Sequence, residues 1–322
     1  MYSRLPYKTK QFFFVLIKLS IVVGAFYFIY HKIANNSTLK FSDFIDFLSK
    51  NDAFSLKTIL FLVLLSILNW FFEILKWKTL VTSIKKTSFK NALEQSLGAL
   101  TASLFTPNRI GEYGAKAIYY AANHRKRIML NNLLSNMLQM SVTAILGFIG
   151  FSFFIVEYDP NINYYKFTRF LVIAIMAFTL LGFGMTKSKF SIKGFALEKI
   201  KYFIVAYPKI KLVLGFLLSV IRYAIFSFQF YFLLQLFEVD ITYLNAMAII
   251  TTMYLLASIV PSIFIFDVII KGSIAVYLFS FIQVNELTIL SIVTLMWLFN
   301  FVLPSIFGSY YVLNFNFPKN DE

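Results

Sequence analysis

NALEQSLGALTASLFTPNRIGEYGAKAIYYAANHRKR, running from Asn91 to Arg127, is the stretch that decides how the rest of the chain is read. It holds two apolar runs, Ala92 to Thr106 and Ile110 to Ala122, separated by Pro107-Asn108-Arg109. Each run is shorter than the ~20 apolar residues that a helix needs to cross a bilayer. Lys85, Lys86 and Lys90 precede the stretch, and Arg125, Lys126 and Arg127 close it. Basic residues collect on the cytoplasmic side of membrane proteins. A segment basic at both ends and broken in its middle is therefore expected to enter the membrane and leave on the same side. It reads as a re-entrant hairpin over 92–122.

The composition agrees with a membrane setting. Of 322 residues 59% are hydrophobic, with 40 Phe and 19 Tyr, and the mean hydropathy is +0.73. Zero Cys and two His exclude disulfides and thiolate metal sites and argue against a His-based zinc site. No metal or cofactor is expected, and no catalytic constellation stands out. The net charge of +15 raises nucleic acid as a partner. The membrane reading prevails because the charges are dispersed in loops between long apolar segments. The first apolar run is followed by His31-Lys32-Ile33 rather than by small residues suited to cleavage, so it is expected to remain as an anchor.

Working outward, the spans alternate with loops whose charge fixes their side. Residues 1–56 comprise a first membrane anchor, about Gln11 to Tyr30, and an outer amphipathic segment with Phe41, Phe44, Ile45 and Leu48 at helical spacing. Residues 57–156 comprise a first unit: a span at 57–81, the hairpin, and a span at 128–156. A connecting span at 167–185 and a basic cytoplasmic segment fill 157–211. A second unit, 212–314, holds a span at 212–237, an interrupted stretch at 245–280 broken at Pro261, and a last span at 287–313. Residues 315–322 form a tail. Both termini are expected in the cytoplasm.

The two interrupted stretches resemble each other. Asn91-Ala92-Leu93 stands as far before Pro107 as Asn245-Ala246-Met247 stands before Pro261. Beyond each Pro comes an acid with a Lys four residues later: Glu112 and Lys116, then Asp267 and Lys271. The first hairpin has basic flanks, whereas the second has acidic or neutral ones, so they are expected to dip from opposite faces. Paired, broken apolar segments in two inverted halves are the pattern of secondary transporters, whose sites lie where the halves meet. The expected fold is thus an all-α polytopic membrane protein. It has about six transmembrane helices plus two re-entrant helical hairpins in an inverted-topology repeat.

Charges at membrane depth are functional candidates. Arg109 and the start of the return helix near Ile110 both favour an anion. Gly111 and Gly114 leave room for close helix approach or for a lipid's glycerol and phosphate. Glu112 and Lys116 lie one helical turn apart and can pair, as polar lining or as a lock. Glu73 lies three residues before Lys76, which suggests local pairing near the interface. Arg222, a third of the way along its span, either snorkels or faces a cavity. The candidate cavity residues are Glu73, Pro107, Arg109, Gly111, Glu112, Gly114, Lys116, Arg222, Pro261, Asp267 and Lys271.

The run PNRIGEYGAK resembles the signature of the lysylphosphatidylglycerol synthase transmembrane-region family, also called flippase-like integral membrane proteins. In that family a Pro followed by a Gly-Glu pair closes the first re-entrant segment, and a second Pro-containing segment recurs near the C-terminus. The matching positions are Pro107, Gly111, Glu112 and Gly114, then Pro261 and Asp267. Asn108-Arg109 stand where Gly is frequent, and Asp267 replaces the usual Glu. The resemblance covers about residues 10 to 315. It implies an inner-membrane protein that moves lipids or lipid-linked molecules between leaflets. No soluble transferase domain is expected beside this region, and synthesis of lysylphosphatidylglycerol is therefore not expected.

The expected function is translocation of phospholipid, or of a lipid-linked molecule, between leaflets of the cytoplasmic membrane through a polar cavity between the two hairpins. Membrane lipids, anionic or phosphate-bearing, are the expected partners. No GxxxxGK[ST] loop is present to couple ATP. Two alternatives stand beside this reading: an intramembrane lipid-modifying enzyme using a polyprenyl donor, and a scaffold for a separate synthase.

Overall fold

Ser55 starts the first described span, its hydroxyl accepting from the Thr58 backbone N–H at 3.2 Å and so satisfying one orphan donor of the helix N-terminus. The computed structural model describes residues 55–104, 106, 110–160, 202–259 and 267–317, two short strands within 191–196, and single positions 16, 19, 20, 23, 27, 46 and 49. Most of the expected anchor and outer amphipathic segment, and the whole of the expected span 167–185, lie outside the described residues.

The described helices are α1 (Leu56–Val81), α2 (Phe89–Ser103), α3 (Gly111–Ala117), α4 (Ala122–Tyr158), α5 (Lys209–Leu236), α6 (Tyr243–Ile259), α7 (Asp267–Ser280), α8 (Glu286–Trp297) and α9 (Leu303–Leu313). A π-helical turn, Leu298–Val302, joins α8 to α9. Among the described residues, four helical stretches are long and apolar enough to cross a membrane: α1, α4, α5 and the continuous run from α8 through α9. Strands β1 (Ser191–Ile192) and β2 (Phe195–Ala196) pair antiparallel. Each strand is only two residues long, and the described architecture is otherwise all-helical.

The sequence pattern explains which faces meet. On α1, Leu56, Leu60, Leu64, Ile67 and Phe71 are exposed at helical spacing, an apolar stripe suited to lipid. The opposite face, with Leu62, Ser66, Asn69, Trp70, Glu73 and Trp77, is buried. It lies along α5. α2 packs against α9, and α6 packs against α4. The shorter helices α3 and α7 each pack on the arm before them and on the span after them.

Small residues permit the two arm-to-span contacts. A Cβ at Gly308 on α9 would strike the Leu97 carbonyl and the Thr101 hydroxyl of α2. A Cβ at Gly147 on α4 would meet the Thr251 carbonyl at 3.1 Å and the Leu255 side chain. Leu97 and Thr101 are separated from Thr251 and Leu255 by the same sequence offset that separates Asn91 from Asn245. Between apolar helices in lipid, such close approach replaces the hydrophobic drive that water would supply.

The expected break in the first hairpin is present. α2 ends at Ser103 and α3 begins at Gly111. The Thr106 hydroxyl ties the two ends, donating to the Ser103 carbonyl at 2.7 Å and accepting from the Gly111 N–H at 2.9 Å. A Cβ on Gly111 would lie 2.8 Å from the Thr106 methyl, so the tie requires glycine. Gly114 differs: nothing lies within 4 Å of its added Cβ, so no helix approaches closely there. The return arm is also shorter than expected. It ends at Ala117, and Ala122 already belongs to α4.

Pro304 accounts for the π-turn. It has no N–H to give the Asn300 carbonyl, and the Leu303 N–H reaches back to the Leu298 carbonyl instead. The carbonyls of Phe299 and Asn300 are thereby released. Two side chains one turn apart on α1 take them up: the Ser66 hydroxyl donates to Phe299, and the Trp70 indole donates to Asn300 at 3.0 Å. The turn is held from outside its own helix.

Candidate functional site

Four of the charges singled out in the sequence converge on one cavity. Glu73 and Trp70 of α1, Ser96 of α2, Glu112 and Lys116 of α3, Asn136 of α4 and Arg222 of α5 line it. Its volume is about 50 Å³, room for a few waters or the tip of one headgroup.

Glu73 is the hub of one ion cluster. Its Oε2 lies 2.8 Å from Lys76 Nζ and 2.9 Å from Arg222 Nη1. Arg222 also donates through Nε to Asn69 Oδ1 at 3.1 Å and through Nη1 to Gln139 Oε1 at 3.3 Å. Lys76 is only 1% exposed, so its expected local pairing with Glu73 is buried within the protein. Helices α2 and α3 fold over this end of α1, where Ile74, Trp77 and Val81 cluster with Ala92, Ala117 and Tyr120.

Lys116 is the hub of a second cluster. Its Nζ lies 2.7 Å from Glu112 Oε1, 2.9 Å from Asn132 Oδ1 and 4.3 Å from the Trp77 ring centroid. Trp77 in turn donates to Gln95 Oε1 at 2.8 Å, which also accepts from the Tyr120 hydroxyl at 2.8 Å. A cation over an aromatic face with two oxygen partners recovers much of its lost hydration.

Among the described residues the two clusters hold three cations and two carboxylates. Arg222 is the least buried cation, its side chain 23% exposed. The Ser96 hydroxyl is buried against the cavity and has no hydrogen-bond partner among the described residues. An oxygen-rich anion would complement both groups.

Behind Arg222 runs a relay of amides. Asn69 Nδ2 donates to Asn300 Oδ1 at 2.8 Å, and Asn300 Nδ2 donates to Gln229 Oε1 at 2.8 Å. Gln229 Nε2 then donates to the Leu62 carbonyl at 3.2 Å. Because each amide donates onward with its nitrogen, each presents its oxygen to the preceding donor. The relay fixes Asn69 with its oxygen toward Arg222. Sequence reasoning passed over Asn69, Gln229 and Asn300; their signal was an amide within an otherwise apolar span.

The remaining candidates distribute as follows. Gly111 forms the elbow, whereas Gly114 faces open space. Pro107, Arg109 and Pro261 lie outside the described residues, as does the side chain of Asp267, which opens α7. Lys271 is not brought to the cavity; its Nζ lies 5.9 Å from the Phe301 ring centroid, beside the π-turn. Among the described residues, no group of three or more His, Cys, Asp or Glu is placed to hold a metal ion.

Comparison with known proteins yields one family. The model described as "Lysylphosphatidylglycerol synthase TM region" matches residues 15–308. No curated protein and no solved structure matches the chain.

Proposed function

The chain belongs to the lysylphosphatidylglycerol synthase TM-region family, and from that lipid-related membrane setting we propose that it translocates lipid between the leaflets. The cargo is a phospholipid or lipid-linked molecule carrying phosphate. The observation that carries the proposal is the convergence of Glu73, Glu112, Lys116 and Arg222 with the Ser96 hydroxyl on one small cavity. Ionisable groups at membrane depth are costly and mark pathways for polar cargo. Within the two clusters the cations exceed the carboxylates by one, a balance that favours a singly negative phosphodiester.

The two units form an inverted-topology repeat in this reading, with α2–α3 and α6–α7 as re-entrant hairpins entering from opposite faces. The packing supports it: exchanging the first unit for the second converts the α2–α9 contact into the α6–α4 contact and leaves α1 against α5. Glycine contacts keep the register of the sequence repeat. Pro107 and Pro261 mark the hairpin tips. Arg109 receives the phosphate at the first tip, and Asp267 and Lys271 supply the polar lining of the second. The protein resides in the cytoplasmic membrane with both termini inside.

Reconstitution tests the proposal. Liposomes carrying purified protein and fluorescent phosphatidylglycerol should expose inner-leaflet label to a membrane-impermeant quencher far faster than protein-free liposomes. Exchange no faster than the control would remove translocation. A change in lipid mass would point to an enzyme, and neither change would leave the scaffold reading.

A further inference from the structure

The geometry points to Asn300 as a positioning residue: through Asn69, the π-turn of the last span holds the guanidinium of Arg222 toward the cavity. The inference rests on the reading that this cavity seats a phosphate-bearing headgroup, and it adds which element aims the receiving cation. Three observations build it. Arg222 is the most open cation of the cavity, yet its Nε is spent on Asn69 Oδ1 at 3.1 Å. The rotamer of Asn69 is fixed by donation to Asn300 Oδ1 at 2.8 Å. Asn300 is itself pinned twice, its Nδ2 donating to Gln229 Oε1 at 2.8 Å and to the Met296 carbonyl at 3.0 Å.

Asn300 is buried in the one described π-turn, and it does not line the cavity. Its backbone carbonyl is simultaneously held by Trp70, which does line it. One residue therefore grips α1 twice, by side chain to Asn69, which holds Arg222, and by backbone to Trp70, which lines the site. A π-turn can relax toward α-helix by redistributing one residue along the span, and such turns recur at functional sites. Relaxation at 298–302 would rotate Asn300 away from Asn69, release the Asn69 oxygen and loosen Arg222. The last span is thus geared to the anion seat without touching it.

The test reads position and ligand separately. In arginine-¹⁵N-labelled full-length protein in detergent, the Arg222 Nε–H signal is assigned by its disappearance in Arg222→Lys. It should be protected from solvent exchange in the native chain, and Asn300→Ala should speed its exchange by about 10-fold or more, as expected when a buried hydrogen bond worth about 1.4 kcal/mol is lost. Gln229→Leu removes one of the two acceptors that pin the Asn300 amide and leaves the Asn300–Asn69 bond in place, so it should give a smaller acceleration; it serves if Asn300→Ala does not fold. Unchanged exchange in a folded variant overturns the inference.

The ligand arm uses dihexanoyl-phosphatidylglycerol as probe. Asn300→Ala should weaken its binding about 10-fold with Arg222 present, but less than about 2-fold in an Arg222→Met background, since the effect passes through Arg222. Equal losses in both backgrounds overturn the inference, because a merely structural residue would act regardless of Arg222. If the native protein binds no probe, the reading of the cavity as a lipid site fails, and the exchange measurement alone decides the relay.

Discussion

Arg222 Nη1 and Lys76 Nζ share one carboxylate oxygen, Oε2 of Glu73, at 2.9 and 2.8 Å. Two cations on one oxygen join α5 to α1 at the wall of the cavity. The carboxylate balances only one of them, so the pairing both fastens the helices and leaves positive charge facing the opening.

Glu73→Gln should destabilise the protein by about 3–5 kcal/mol, because it strands Lys76 and Arg222 without their counter-ion. Adding Lys76→Met removes one stranded charge and should recover part of the loss. Thermal unfolding in one detergent checks both. A double variant no more stable than Glu73→Gln would show that the pair is not what the carboxylate supports.

Arg222→Ala should slow lipid exchange in liposomes by at least about 10-fold, the scale of a lost charge-assisted contact. Arg222→Lys should restore charge but not aim, since a lysine cannot bond Asn69 and Glu73 together through a planar fork. Intermediate exchange is the expected result, and native exchange in Arg222→Ala would take the residue out of the pathway.

Gly308→Ala should cost about 1–3 kcal/mol, because the new methyl meets the Leu97 backbone, which cannot swing aside. Gly114→Ala meets open space and should change stability by less than about 1 kcal/mol. Measured side by side, equal effects would contradict the α2–α9 contact.

Tyr207 precedes α5, outside the spans, and its hydroxyl lies 2.5 Å from the Leu80 carbonyl and 2.7 Å from Asn131 Oδ1. Burial pushes its phenol up to about 12. A pKa raised by folding gives stability that is complete below the unfolded value near 10 and lost as pH rises through the folded value. Melting temperature should therefore fall between about pH 10 and 12, and Tyr207→Phe should flatten that decline. An unchanged alkaline slope in the variant would refute the assignment.

The charged wall of the cavity was legible because carboxylates and cations inside apolar runs are conspicuous. Glu73, Glu112, Lys116 and Arg222 could be named without coordinates. The break between Thr106 and Ile110 was legible for a similar reason, as proline halts a helix. The burial of Lys76 was not legible, because the helices that fold over that end of α1, α2 and α3, come later in the chain. The amide relay stayed hidden since Asn69, Gln229 and Asn300 are far apart in sequence and uncharged. Pro304 did carry a local clue. Its missing N–H frees the carbonyl of Asn300, the residue on which the relay turns.

Helix α4 contains 37 residues, about 55 Å at 1.5 Å per residue, against a hydrocarbon layer of about 30 Å. It must lean, or project its His124–Arg127 end well beyond the headgroups. α6 is fastened to it at Gly147 and Gly150, so any change in tilt is passed to the second arm. Host bilayer thickness thereby becomes a physical input to the protein: short-chain and long-chain membranes would set different inclinations of the same pair.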